Sequence, residues 1–268
     1  MLLIAALWLA IMAVAGLAAP WLAPYGYADQ DLMARLRPPA LVGGDAAHWL
    51  GTDHLGRDVL SRVIYAIRVS MAVALVGALI GAVFGTFLGF LAAHARGVVE
   101  ESIMALVDVQ AALPFLIFAL LVIAFFGNDL VLFVLLVGLH GWERYARLAR
   151  GLVLDAKTKG YAEAARAMGL APWRIYLVHV GPNVASAMIV QFTLNLPETI
   201  LLEAGLSFLG LGIQPPLTSL GLMLNDSRNY IVLHWWLPTV PGAAIFLTTL
   251  SVSLLGDALR DRLDRALR

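Results

Sequence analysis

Three carboxylates stand where carboxylates are expensive. Asp108, Glu198 and Glu203 fall in or beside long apolar runs of the sequence. A charge at the centre of a bilayer costs ~2.5–3.5 kcal/mol on insertion scales, so such groups face protein or water. Asp108 and Glu198 are therefore candidates to line a translocation pathway, where a carboxylate could greet an amino group of the cargo. A structural hydrogen bond is the plainer alternative. Glu198 follows Pro197, which frees a backbone carbonyl and can kink a helix. Glu203 lies nearer the end of its run and reads as a capping or pairing residue.

A second constellation suits docking rather than catalysis. Tyr161 to Met168 is a short run of helix formers, including Glu163, Ala164, Ala165 and Arg166. Gly169 is placed to stop that helix in a left-handed conformation, and Pro172 can open the next one. Small alanines on such a surface allow close seating against a partner. The bland alternative is a loop that only joins two spans. Other chemistry is excluded or unsupported. The chain has no cysteine, hence no disulfide or thiolate metal site. No two of the 6 histidines sit four residues apart on one helix face, and no metal is expected. No G-x-x-x-x-G-K-[ST] phosphate loop occurs, so the chain is not itself an ATP-hydrolysing engine.

The elements that must carry these residues are membrane helices. Of 268 residues, 61% are hydrophobic and 13% charged, against about 25% charged in an average soluble domain. A span needs about 20 apolar residues. Residues 1–23 make a first span; a cleaved signal peptide is the alternative, but the start has no basic residue. Val69–Ala93, Ile103–Phe126, Leu130–Trp142, Val184–Gly205 and Trp235–Gly256 complete six spans. The fourth, only 13 residues long, is expected to run on as helix through Arg144, Arg147 and Arg150. Gly77, Gly81, Gly85 and Gly89 recur every four residues, a spacing that lets helix backbones approach closely. The core is thus 69–256, with a docking loop at 155–182 and a tail at 257–268.

Orientation follows from the positive-inside rule. Twelve of the 18 Lys and Arg fall in segments 94–102, 143–183 and the tail, which places both termini in the cytoplasm. Segment 24–68 is then external. Its glycines and aspartates favour turns, and Asp58 is a plausible N-cap for the following helix. It is read as a folded scoop rather than a loose loop. Zero formal net charge offers nothing to nucleic acid.

At this point the residues carry a family resemblance. Glu163-Ala164-Ala165-x-x-x-Gly169 resembles the EAA loop of binding-protein-dependent ABC-transporter permeases, although His179-Val180-Gly181-Pro182 matches the end of that motif only at its proline. Leu50-Gly51-Thr52-Asp53-His54-Leu55-Gly56-Arg57-Asp58 resembles the signature of the second permease of the dipeptide/oligopeptide/nickel branch. So do Glu203 to Gly212 and Gly256 to Asp261. That branch commonly has Trp-Gly where this chain has Leu220-Gly221. The resemblance covers about residues 45–264. It implies an all-α, type I ABC importer permease-like fold with a cytoplasmic coupling helix carrying Tyr161, Glu163, Ala164, Ala165, Arg166 and Gly169. It also implies a homologous permease subunit, two ATPase subunits that bind the ATP, an external solute-binding protein and a bacterial or archaeal plasma membrane. No cofactor is expected on the chain itself. Peptides are the implied cargo, with nickel complexes, glutathione or other solutes as alternatives. A secondary transporter and a structural membrane protein are the rival classes.

Overall fold

The computed structural model describes residues 1–158 and 181–266. Among these the regular elements are helices: α1 Leu2–Leu17, α2 Ala19–Leu22, α3 Val59–Ala95, α4 Gly97–Ala112, α5 Phe115–Phe126, α6 Leu130–Gly138, α7 Trp142–Lys157, α8 Gly181–Phe208, α9 Leu220–Ser227 and α10 Trp236–Ala266.

The organising element is α3. Its 37 residues contain no proline, and Asp58 caps its start by accepting from Ser61 N at 2.8 Å. At 1.5 Å per residue it is about 55 Å long, well beyond the ~30 Å of a hydrocarbon core. It begins ten residues before the apolar run that hydropathy picks out, because Arg62 and Arg68 belong to the helix without belonging to the apolar span. The scoop therefore ends at Asp58. Helices α3, α8 and α10 are each long and apolar enough to cross a membrane.

Two expected spans are broken rather than continuous. Helices α4 and α5 meet at a bend of 95°. Pro114 forces Leu113 out of the helical region into extended backbone, φ −89° and ψ 131°, so α4 ends there. The fourth span, expected to run on as one helix, is divided between α6 and α7. Gly141 lies between them at φ +78°, a conformation side chains resist, and a β-carbon there would come within 2.8 Å of Asn195 Oδ1. The sequence shows these residues, but a proline or glycine inside an apolar run is also tolerated in unbroken membrane helices.

The four periodic glycines of α3 do face another helix. A β-carbon at Gly77 would lie 2.6 Å from Val137 Cγ1, and one at Gly81 would lie 2.7 Å from Gly138 O. Gly85 meets Trp142 O, and Gly89 meets Ala146 O. The partner number rises with the α3 number, so α6 and α7 run parallel to α3 along one seam. On its other side α3 shares a core with α1, α9 and α10 through Met12, Val63, Ile67, Met223, Leu237 and Ile245. Helix α10 closes on α8 at Gly256, where a β-carbon would be 3.2 Å from Thr193 O. Thr193 is the residue whose carbonyl Pro197 cannot hydrogen-bond, so that the glycine leaves room beside it.

Filling the seam should be costly. Gly81→Ala is expected to destabilise the folded chain by ~1–3 kcal/mol, the range for overpacking. Gly151→Ala is the control: nothing lies within 4 Å of a β-carbon there, and alanine favours the helix by up to ~1 kcal/mol. Thermal unfolding of both variants in detergent should shift in opposite directions.

Candidate functional site

The scoop is folded, and one carboxylate organises it. Asp53 is buried, 3% exposed. It accepts from Leu55 N at 2.8 Å and Arg57 N at 3.0 Å, and from Arg57 Nε at 2.7 Å and Arg62 Nη1 at 2.6 Å. Both arginines also reach Asp226 on α9, at 3.3 and 3.0 Å. Burial alone would push the Asp53 carboxyl up. Arg62 and Arg57, with the two backbone donors, outweigh that and hold it below the usual carboxylate range. Two further contacts join the scoop to Tyr230, after α9, and to Trp236 at the start of α10. The His54 ring stacks on Tyr230 with centroids 5.5 Å apart, and Trp236 Nε1 donates to Thr52 O at 3.4 Å. His54 is held below the ordinary imidazole value by burial, which the carboxylates of Asp53 and Asp226 only partly oppose.

A second set of charges lies along α7. Arg144 Nη1 donates to Glu198 on α8 at 2.6 Å, Arg147 Nη2 to Asp108 on α4 at 2.8 Å, and Arg150 Nε to Glu100 on α4 at 2.6 Å. The spacing of three puts the arginines on one broad side of α7. The first two pairs remain open to solvent: side-chain exposure is 44% and 48% for Arg144 and Glu198, and 48% and 72% for Arg147 and Asp108. Because charged groups avoid lipid tails, this side of the chain is turned to water or to protein. The structure thus brings both sequence-derived carboxylates, Asp108 and Glu198, onto one stripe, each already matched by a guanidinium. Glu203 is instead fully enclosed and accepts from Ser207 Oγ at 2.9 Å. The docking residues Tyr161, Glu163, Ala164, Ala165, Arg166 and Gly169 lie outside the described residues.

Sequence reasoning missed Asn195 and Tyr145. Both are buried, Tyr145 in the first turn of α7 and Asn195 on α8 beside Gly141. It also missed Asp226, whose partners are 164 and 169 residues away in sequence.

Long apolar helices, a break at Gly141 closed by Asn195 and a stripe of ion pairs along α7 fit a membrane permease. More particularly, the chain belongs to the family of binding-protein-dependent transport system inner membrane components. The family matches residues 85–268, and residues 1–39 match the N-terminal TM domain of oligopeptide transport permease C. The di/tripeptide transport system permease protein DppC of Pseudomonas aeruginosa is 39% identical over 98% of this chain and 87% of its own length. The dipeptide permease DppC of Escherichia coli K12 is 41% identical over 93% and 84%. The nickel permease NikC of the same organism is 35% identical over 96% and 91%. In an inward-facing MetNI methionine ABC transporter, one solved chain shares the fold with a TM-score of 0.64 at 19% identity, covering 76% of this chain and 97% of that one. The fold is that of a type I ABC importer permease.

Removing one member of a buried ion pair costs about 3–5 kcal/mol. Asp53→Ala should therefore loosen the scoop, seen as new proteolysis between Pro24 and Asp58 with α3 intact. Acid should do the same to the wild type. The folded Asp53 pKa lies below its unfolded value, so its contribution is present at neutral pH. It is lost as pH falls below the ordinary carboxylate range and through the folded value.

Proposed function

We propose that the chain is one of two unlike permease subunits of an ATP-driven importer of di- and oligopeptides. The observation that carries this is family membership together with relatives named for dipeptide and di/tripeptide transport at 39–41% identity over more than nine tenths of the chain. Two ATPase subunits would bind and hydrolyse the ATP, and no cofactor would sit on this chain. A solute-binding protein would deliver cargo at the scoop. The excess of Lys and Arg in segments 94–102, 143–183 and the tail supports cytoplasmic termini in a bacterial or archaeal plasma membrane.

The mechanism is alternating access. Closure of the ATPases would draw the coupling loops at 155–182 together. Tyr161, Glu163, Ala164, Ala165 and Arg166 would seat in the ATPase, and Gly169 would end the helix. Seen from the membrane, α7 leads directly into this loop, and α7 is joined to α3 by the glycine seam. Motion of the loop is thereby passed to the whole α3–α7 unit. The stripe of Arg144, Arg147 and Arg150 would form a wall of the pathway on the loop side. Exposed pairs are worth only ~0–1 kcal/mol, so Asp108 and Glu198 can exchange an arginine for a cargo amino group at little cost. ATP would drive transport only if it binds the two states unequally.

The coupling reading has a direct test in the reconstituted complex. Gly169→Val and Ala165→Arg should abolish peptide-stimulated ATPase activity and weaken pull-down of the ATPase, while leaving membrane insertion intact. Normal stimulation in both would make this loop a mere connector. Glu198→Gln should change peptide uptake several-fold with little change in thermal stability. Mass spectrometry of the ligand carried by the binding protein assigns the cargo. Peptides are expected, and a nickel complex or glutathione there would overturn the cargo class while sparing the permease assignment.

A further inference from the structure

A cleft of about 480 Å³ opens between α1, α3, α8 and α10. Its walls are apolar: Leu9, Met12, Met71, Leu196, Ile200 and Val252 supply much of them. No carboxylate lines it, so it does not suit the amino group of a peptide. The only charged group at its edge is Arg68, which is exposed and, among the described residues, makes no ion pair or hydrogen bond.

The level of Arg68 in the membrane can be read from its neighbours. From Val69 to Ala93 the chain carries no Asp, Glu, Lys or Arg, so Arg68 marks the end of the apolar part of α3. Its Cα packs against Gly16, where a β-carbon would be 3.4 Å away, and Gly16 is one residue from the end of α1. The short α2 that follows presents Trp21 with 84% exposure. Tryptophan concentrates at the headgroup level of membranes. Arg68 thus stands where lipid phosphates stand, and the apolar cleft runs from it towards the bilayer interior along Met12 and Leu9.

A guanidinium without a partner and a hydrocarbon-lined cleft beneath it match the two halves of one molecule. We propose that this cleft holds a phospholipid of the leaflet on the scoop side, its phosphate on Arg68 and one acyl chain between α1, α3, α8 and α10. Arginine suits this role because its planar fork binds two phosphate oxygens at once. The acyl chain would lie in the space between α1 and α8 that Leu196 and Ile200 line.

The test uses the reconstituted transporter in vesicles of phosphatidylethanolamine and phosphatidylglycerol, doped with phosphatidylglycerol carrying a diazirine in its acyl chain. After illumination, adducts mapped by mass spectrometry should concentrate on Met12, Met71 and Leu196 over the exposed Phe87 face of α3. Arg68→Gln should lower cleft labelling about fivefold, the effect expected of one basic residue at an anionic membrane surface. Arg68→Lys should retain most of it. Ala72→Trp, one turn below Arg68 on the same face of α3, fills the upper part of the cleft and should lower it as well. Labelling equal on all lipid-facing helices, or unchanged in both Arg68→Gln and Ala72→Trp, would overturn the proposal. So would disulfides from Met71→Cys to the partner permease chain, which would show that protein covers the cleft.

Discussion

Helices in lipid gain nothing from burying leucine, because the lipid tail is as apolar as the side chain. What holds two of them together is close packing, and close packing needs small residues. In this chain the contact that meets the need is the seam of Gly77, Gly81, Gly85 and Gly89 against Val137, Gly138, Trp142 and Ala146. It ties the longest helix to a pair that is itself broken. Helix α6, only nine residues long, is held by the seam on one side and by Ala119 of α5 and Leu206 of α8 on another. The break at Gly141 is tolerated because Gly81 and Gly85 bring the α3 backbone up beside it and Asn195 closes the other side. The same seam carries α7 past the membrane and fixes where its three arginines point.

The charges divide into two kinds by burial. The Asp53, Arg57, Arg62 and Asp226 group is largely enclosed and answers every carboxylate with two guanidinium contacts. Such a group is costly to open, and it binds the scoop to α3 and α9 as one piece. The pairs of Arg144 with Glu198 and Arg147 with Asp108 are half open. Water screens them, and each partner can be exchanged cheaply. The ion pairs are thus enclosed at the scoop end and half open along α7.

Features encoded within a few residues were legible in the sequence. Asp58 as an N-cap and the glycine periodicity of α3 depend on local chemistry, and each is found where spacing puts it. The folded scoop could be expected from its turn residues. Its latch could not, because Asp226 is more than 160 residues from its arginines. The pairing of Asp108 with Arg147 was hidden for the same reason: a lone carboxylate in an apolar run looks like a binding group until the helix beside it is known. The breaks at Pro114 and Gly141 were misread because hydropathy measures what a segment prefers as solvent and is blind to its direction. Of the candidate site, Asp108 and Glu198 are found paired with arginines of α7, whereas the coupling residues fall in 159–180, outside the described residues.

Helix α3 crosses from the latched scoop to the level of Lys157 without a proline, and Lys157 Nζ donates to Ala93 O near its far end. A rod of about 55 Å, locked along the seam to α6 and α7, tilts as one piece with them. Such a tilt moves the Ala93 end and the Asp58 end in opposite directions. A tilt imposed at one end of so long a helix is carried to the other by the backbone itself, with no chain of side-chain rearrangements needed between them.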